Sequence, residues 1–96
     1  MSYSYQSNWN DNAEIACLIA LKLLIVEGFP RGRQGEFSQS ISAKYKLDQG
    51  SVSAKISNFK SLAGINNKSN ASENSRRIYN QYSNYSVLEL RKLIEK

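Results

Sequence analysis

The sequence predicts a mainly α-helical protein of four to five helices, and three observations support this. Apolar residues recur at helical spacing, as in Val52, Ile56, Phe59 and Ala63, which are separated by four, three and four positions. The longest apolar segment contains neither Gly nor Pro, and Asn, Asp, Ser and Gly cluster at the breaks between segments, where helices begin and end. With 96 residues and 41% hydrophobic content, the chain can build one modest core. Residues 9–96 are therefore predicted to form a single helical domain, preceded by a polar N-terminal arm at residues 1–8.

The first helix is predicted from Ala13 to Glu27. The preceding residues at positions 10–12 are Asn, Asp and Asn, which are favoured N-caps. Gly28 supplies a C-cap and Pro30 prevents the helix from restarting. Because apolar residues cover more than one face of this segment, it is predicted to be the central helix, surrounded by the others.

The next segment, FPRGRQG at positions 29–35, is predicted to be a loop. It carries Arg31 and Arg33, two arginines that would suit phosphate contacts or remain solvated loop charges. A short second helix is predicted from Glu36 to Lys46, because Phe37, Ile41 and Tyr45 recur every four residues.

The third helix is predicted from Gln49 to Leu62, with Asp48 as its N-cap. Its apolar stripe faces the core, and its other side is small and polar. The outward residues are Ser53, Ala54, Ser57, Asn58 and Ser61, with Lys55 and Lys60 flanking the stripe. Two short helices joined by a tight turn have the layout of a helix-turn-helix, in which the second helix enters the major groove of DNA.

The segment at positions 63–73 is rich in Asn, Ser and Gly and is predicted to be a loop. A winged-helix arrangement would place a β-hairpin here, although the segment shows no alternation of apolar and polar residues. A fourth helix is predicted from Ser72 or Glu73 to Gln81, with Arg76 and Arg77 as a basic pair. Ser86 and Glu89 form a capping box that predicts a closing helix.

Charge and composition favour a binding protein over an enzyme. Thirteen Lys and Arg against eight Asp and Glu give a net charge of +5, which favours an anionic partner. The sequence contains no His, which removes the commonest general base and imidazole metal ligand. Cys17 is the single cysteine and lies in an apolar run, so it is predicted to be a buried core thiol. The acidic residues show no metal-like clustering, and those at helix starts are interpreted as caps. We therefore expect no catalysis, no metal and no cofactor.

The longest apolar run, Ile15 to Val26, is interrupted by Lys22 and is too short to cross a bilayer. The N-terminus has neither a basic start nor an apolar core of the kind that directs secretion. These features predict a cytoplasmic protein with no membrane partner.

The segment Gly50 to Phe59, GSVSAKISNF, resembles part of the small winged-helix-like module at the N-terminus of many prokaryotic HNH restriction-type endonucleases. An early Trp, here Trp9, a turn with Leu47 and a Gly-bearing loop at Gly64 extend the resemblance over most of the chain. The resemblance implies a role in contacting DNA or sensing modified bases. The positions that match the family segment are Ser51, Ser53, Lys55 and Asn58.

The chain departs from that family in two respects. An Arg often precedes the matching segment in the family, whereas Lys46 and Asp48 flank Leu47 here. Without His, this chain cannot perform HNH nuclease chemistry.

The sequence thus predicts a non-enzymatic module that binds double-stranded DNA, with homodimerisation left open. The predicted DNA-binding residues are Ser51, Ser53, Lys55, Ser57, Asn58, Lys60, Ser61, Arg31, Arg33 and Arg76. Lys55 has an alternative role in which its stem covers the edge of the core. The alternative function is that of a small phage or mobile-element protein that binds and inhibits a protein complex of host defence.

Overall fold

Five helices make up the residues that the computed structural model describes, 8–65 and 72–95, and no strand occurs within them. The helices are α1 (Asp11–Glu27), α2 (Arg33–Tyr45), α3 (Gln49–Leu62), α4 (Glu73–Tyr82) and α5 (Val87–Ile94). The mainly helical fold is therefore confirmed. Residues 1–7 of the predicted arm and residues 66–71, where a β-hairpin wing would lie, fall outside the described residues.

Helix α1 lies at the centre and packs against each of the other four helices, as its apolar pattern predicts. The Asn10 side chain accepts a hydrogen bond from the backbone N–H of Ala13, so Asn10 is the N-cap. Gly28 ends the helix in the left-handed conformation, with φ of 79°, which Gly adopts without steric cost. Residues on more than one face of α1 are buried. They are Ala13, Glu14, Ile15, Cys17, Leu18, Ile19, Ala20, Leu21 and Leu24.

Helix α2 begins at Arg33, one turn earlier than the sequence predicts. Gly35 lies inside the helix, where it was expected to belong to the loop. The Arg33 guanidinium bonds to Glu27 of α1 and to Glu36 one turn further along α2, at 2.9 Å in each case. These contacts stabilise the first turn of the helix. The connecting loop is therefore shorter than predicted and contains only one of the two arginines.

The turn between α2 and α3 spans Lys46, Leu47 and Asp48. Lys46 adopts the left-handed conformation, with φ of 57°, and closes α2. The Asp48 side chain accepts from the N–H of Ser51 at 2.9 Å, which confirms Asp48 as the N-cap of α3. Both predicted ends of α3 are also confirmed.

Helices α4 and α5 pack against α1 with caps at their N-termini. Ser72 caps α4, and the reciprocal capping box of Ser86 and Glu89 opens α5 as predicted. The Lys22 ammonium of α1 donates to the carbonyl of Ser83 at 2.6 Å, just before α5. This contact joins the α4–α5 connection to the central helix.

The core lies between α1 and the inner faces of the other helices. Val52, Ile56 and Phe59 of α3 are fully buried in it, together with Ile78 of α4 and Leu90 of α5. The Cys17 thiol is also buried, and burial raises its pKa, so the thiol stays protonated. This confirms the prediction that Cys17 is a core residue.

Candidate nucleic-acid interface

The accessible face of α3 is a stripe of small residues, three of them polar, which we call the α3 stripe: Ser51, Ala54, Asn58 and Ser61. Their spacing of three, four and three residues places them on one side of the helix. Ser51 and Ala54 are exposed, while Asn58 and Ser61 are half-buried. Since none of the four side chains is bulky, another surface can approach the helix backbone closely here.

The neighbouring outward residues Ser53 and Ser57 are partly covered by α2. The Gln34 amide of α2 donates to the carbonyl of Ser53 at 3.1 Å and lies 3.2 Å from its hydroxyl. It also lies 3.1 Å from the Ser57 hydroxyl. These contacts hold α2 on one flank of α3. Ser53 and Ser57 remain predicted DNA contacts, but their hydroxyls already accept hydrogen bonds within the domain.

Two hydroxyls of the α3 stripe also form local hydrogen bonds. The Ser51 hydroxyl lies 3.3 Å from the Asp48 carboxylate that caps the helix, and the Ser61 hydroxyl donates to the carbonyl of Ser57 at 3.3 Å. Both bonds are long, and a hydroxyl retains further hydrogen-bonding capacity after one such contact. The exposed Ser51 hydroxyl therefore retains hydrogen-bonding capacity for a ligand at the surface.

Three of the predicted cations, Lys60, Arg31 and Arg76, form no ion pair with the described residues. The ammonium of Lys60 lies 4.8 Å from the centre of the Phe29 ring, which belongs to the loop between α1 and α2. Arg31 follows in that loop and is exposed. Arg76 of α4 is exposed and directly follows Ser75, whose hydroxyl bonds to Lys55 of α3. The three cations thus belong to α3, to the loop between α1 and α2, and to α4, which packs against α3.

Arg33 is placed differently from Arg31. Its guanidinium forms ion pairs with Glu27 and Glu36, and it stacks on Phe37 at 4.2 Å from the ring centre. Hydrogen bonds from Arg33 to Glu27 and Glu36 raise the pKa of this guanidinium. With two carboxylates beside it, Arg33 would have to exchange partners in order to neutralise a phosphate.

Lys55 points into the domain and belongs to a polar cluster, the Glu14 cluster, which comprises Glu14, Lys55, Asn74 and Ser75. The Lys55 ammonium lies 3.4 Å from the Glu14 carboxylate, with side-chain exposures of 16% and 1%. It donates to the Ser75 hydroxyl at 2.9 Å and lies 4.9 Å from the centre of the Trp9 ring. Lys55 is thus separated from Lys60, which the sequence paired with it as a flank of the contact face.

The Glu14 carboxylate accepts hydrogen bonds from the Ser75 hydroxyl and the Asn74 amide. The Asn74 carbonyl in turn accepts from Arg77, whose guanidinium bonds to Asp11 at 2.8 Å. These bonds connect the first turn of α1 to the first turn of α4. The contacts of Lys55 with Glu14 and Ser75 connect α3 to both. A buried carboxylate with a cation and two further donors is a satisfied polar group that orients the three helices.

The cluster of Glu14, Asn74 and Ser75 was not predicted from the sequence. Acidic residues at helix starts were interpreted as caps, whereas Glu14 is 1% exposed and Asn10 is the cap. A signal is present in the sequence, because Glu14, Leu18 and Leu21 are spaced by four and three and share one apolar face of α1. The partners Asn74 and Ser75 carry no comparable signal, since they belong to a polar segment far along the chain.

Within the described residues, no group of three or more Cys, Asp or Glu side chains is arranged to hold a metal ion. None of the described helices combines the length and apolarity needed to cross a lipid bilayer.

Comparison with models of protein families, with curated protein sequences and with solved structures finds no match to this chain. The resemblance to the HNH-associated module therefore stays a prediction from the sequence.

Proposed function

We propose that this domain binds double-stranded DNA without catalysis, by inserting α3 into the major groove. The observation that carries the proposal is the α3 stripe, a row of small side chains on the accessible face of a helix, in a chain of net charge +5. A recognition helix needs such a face, because the backbone must come close to the base edges while neighbouring cations contact phosphates. The proposal includes the cytoplasmic location that the sequence predicts.

The connection of α2 to α3 supports a helix-turn-helix docking mode. Only three residues join the helices, and the Ser42 hydroxyl and carbonyl bond to the backbone of Leu47 at 2.5 and 3.0 Å. Turns of three to four residues are typical of this motif. In the proposed complex α3 enters the groove, and α2 stabilises it from one flank through Gln34.

The proposal assigns phosphate contacts to Arg31, Lys60 and Arg76. It does not depend on Lys55, whose ammonium is occupied by the Glu14 cluster, or on Arg33, whose guanidinium is occupied by two carboxylates. With three phosphate contacts, the slope of log affinity against log salt concentration is expected to be roughly −3.

The decisive variant is Ala54→Glu, which places a carboxylate in the middle of the α3 stripe. We expect at least about a tenfold loss of affinity for a fluorescein-labelled mixed-sequence duplex in an anisotropy titration, since a like charge in the groove is strongly unfavourable. Ala43→Glu is the matched control, because Ala43 is exposed on α2 and the substitution changes net charge equally. Both substitutions exchange one good helix former for another.

Equal effects of the two substitutions would contradict insertion of α3, and so would the absence of duplex binding in dilute salt. The alternative function, inhibition of a host defence protein complex, makes a different prediction. A protein partner captured from host lysate survives nuclease treatment, whereas a partner bridged by DNA is lost.

A further inference from the structure

An open apolar groove lies between α1, α2 and α5, away from the α3 stripe. Its volume is about 210 Å³, and α3 contributes no residue to its lining. The floor consists of apolar side chains from all three helices. These are Ala16, Ala20 and Leu23 of α1, Phe37 and Ile41 of α2, and Ile94 of α5.

Two basic groups and one acidic group give the lining of this groove a net charge of +1. Lys44 of α2 and Arg91 of α5 line it, together with Glu95 as the acidic member. Among the described residues, neither Lys44 nor Arg91 forms an ion pair, whereas Arg33, Lys55 and Arg77 all do. The rim therefore complements an acidic ligand, in agreement with the net charge of the whole chain.

The dimensions of the groove favour a protein segment over a small molecule. Its volume lies below the roughly 300 to 1,000 Å³ of a typical small-molecule pocket, and its mouth is open. Along α1 the lining runs from Ala16 to Leu23, which corresponds to about 10 Å of helix. Two apolar side chains at positions i and i+4 of a helix are about 6 Å apart and fit this length.

We propose that the groove binds an acidic amphipathic helix of a partner protein. Two of its apolar side chains would lie on the floor, and its carboxylates would face Lys44 and Arg91. The proposal is independent of DNA binding, because the two surfaces share no residue. It adds a protein-docking face to the domain.

The test uses the full chain and a fluorescein-labelled model peptide, a helix with Leu at positions i and i+4 and Glu on both sides of that stripe. A second peptide with Lys in place of each Glu is the control. In anisotropy titrations the acidic peptide is expected to bind at least about tenfold more tightly than the basic one, because only its charges complement the rim. Equal binding of the two peptides would overturn the proposal.

Three variants locate the binding site. Arg91→Glu is expected to weaken binding of the acidic peptide about tenfold or more, whereas Lys92→Glu should leave it within about twofold, because Lys92 is exposed and does not line the groove. Ala16→Met fills the floor and should also weaken binding, with helical circular dichroism confirming that the variant is folded. If Arg91→Glu and Lys92→Glu have equal effects, the groove is not the site. If Ala16→Met instead abolishes self-association in sedimentation experiments, the occupant is a second copy and the proposal fails.

Discussion

Replacing Lys55 with Met is expected to destabilise the domain strongly. The substitution removes the ammonium and keeps a flexible side chain of similar length, so the packing against Trp9 changes little. It leaves the Glu14 carboxylate at 1% exposure without a cation, although Ser75 and Asn74 still donate to it. Truncating one partner of a buried ion pair costs about 3 to 5 kcal/mol. We take about 3 kcal/mol, because the two remaining donors and the 16% exposure of Lys55 reduce the penalty.

Urea denaturation followed by circular dichroism measures this change. For a domain of this size, about 3 kcal/mol corresponds to a decrease in Tm of about 12 to 24 °C. The total stability expected for a chain of this length is about 5 to 14 kcal/mol, so the variant should still fold at low temperature. Trp9 fluorescence is a poor readout here, because the substituted ammonium lies 4.9 Å from the ring.

The double variant Glu14→Gln, Lys55→Met separates loss of the charge pair from loss of packing. Both charges are absent, and the Gln carbonyl still accepts a hydrogen bond, so the cost is expected to be about 1 kcal/mol or less. The double variant should thus be about 2 kcal/mol more stable than Lys55→Met alone. The reasoning is refuted if Lys55→Met costs less than about 1 kcal/mol. It is also refuted if the stability changes of Glu14→Gln and Lys55→Met, each measured alone, add up to that of the double variant. Lys60→Ala, by contrast, should weaken duplex binding without a comparable loss of stability.

The remaining predictions concern the core and the last helix. Phe59→Ala should lower the free energy of unfolding by about 3 to 5 kcal/mol, because Phe59 is fully buried, while Leu88→Ala at a site 63% exposed should change it by less than about 0.5 kcal/mol in the same denaturation assay. A similar cost for both would contradict the burial of Phe59. Hydrogen bonds from the backbone N–H and side chain of Ser86, together with the nearby Lys92 charge, lower the pKa of Glu89. The cap is therefore most stabilising above the unfolded-state pKa of about 4.3 and loses this contribution as pH falls through the lower folded-state pKa. The Tm difference between the natural chain and Glu89→Gln should accordingly narrow on acidification, and a difference independent of pH would argue against an ionised cap.

The helices were predictable from the sequence because their signals are local. A cap residue acts on an N–H two or three positions away, and an amphipathic stripe repeats within one or two turns. For this reason the ends of α3, the capping box of α5 and the central position of α1 were all predicted correctly. The start of α2 was predicted one turn too late, because Gly35 in its first turn is a weak helix former and the contact of Arg33 with Glu27 of another helix leaves no local signal.

The roles of the polar side chains were decided by tertiary structure. The sequence identified Lys55 and Lys60 alike as cations beside an apolar stripe, but only the packed helices place one beside Glu14 and the other beside Phe29. The same holds for Ser53 and Ser57, which the sequence placed on an outward face and which Gln34 of α2 partly covers. Helical periodicity reports which side of a helix a residue occupies, but not which element packs against that side. The sequence therefore determined the helices and the buried half of α3, and the long-range contacts determined which of its polar residues are engaged by α1, α2 and α4.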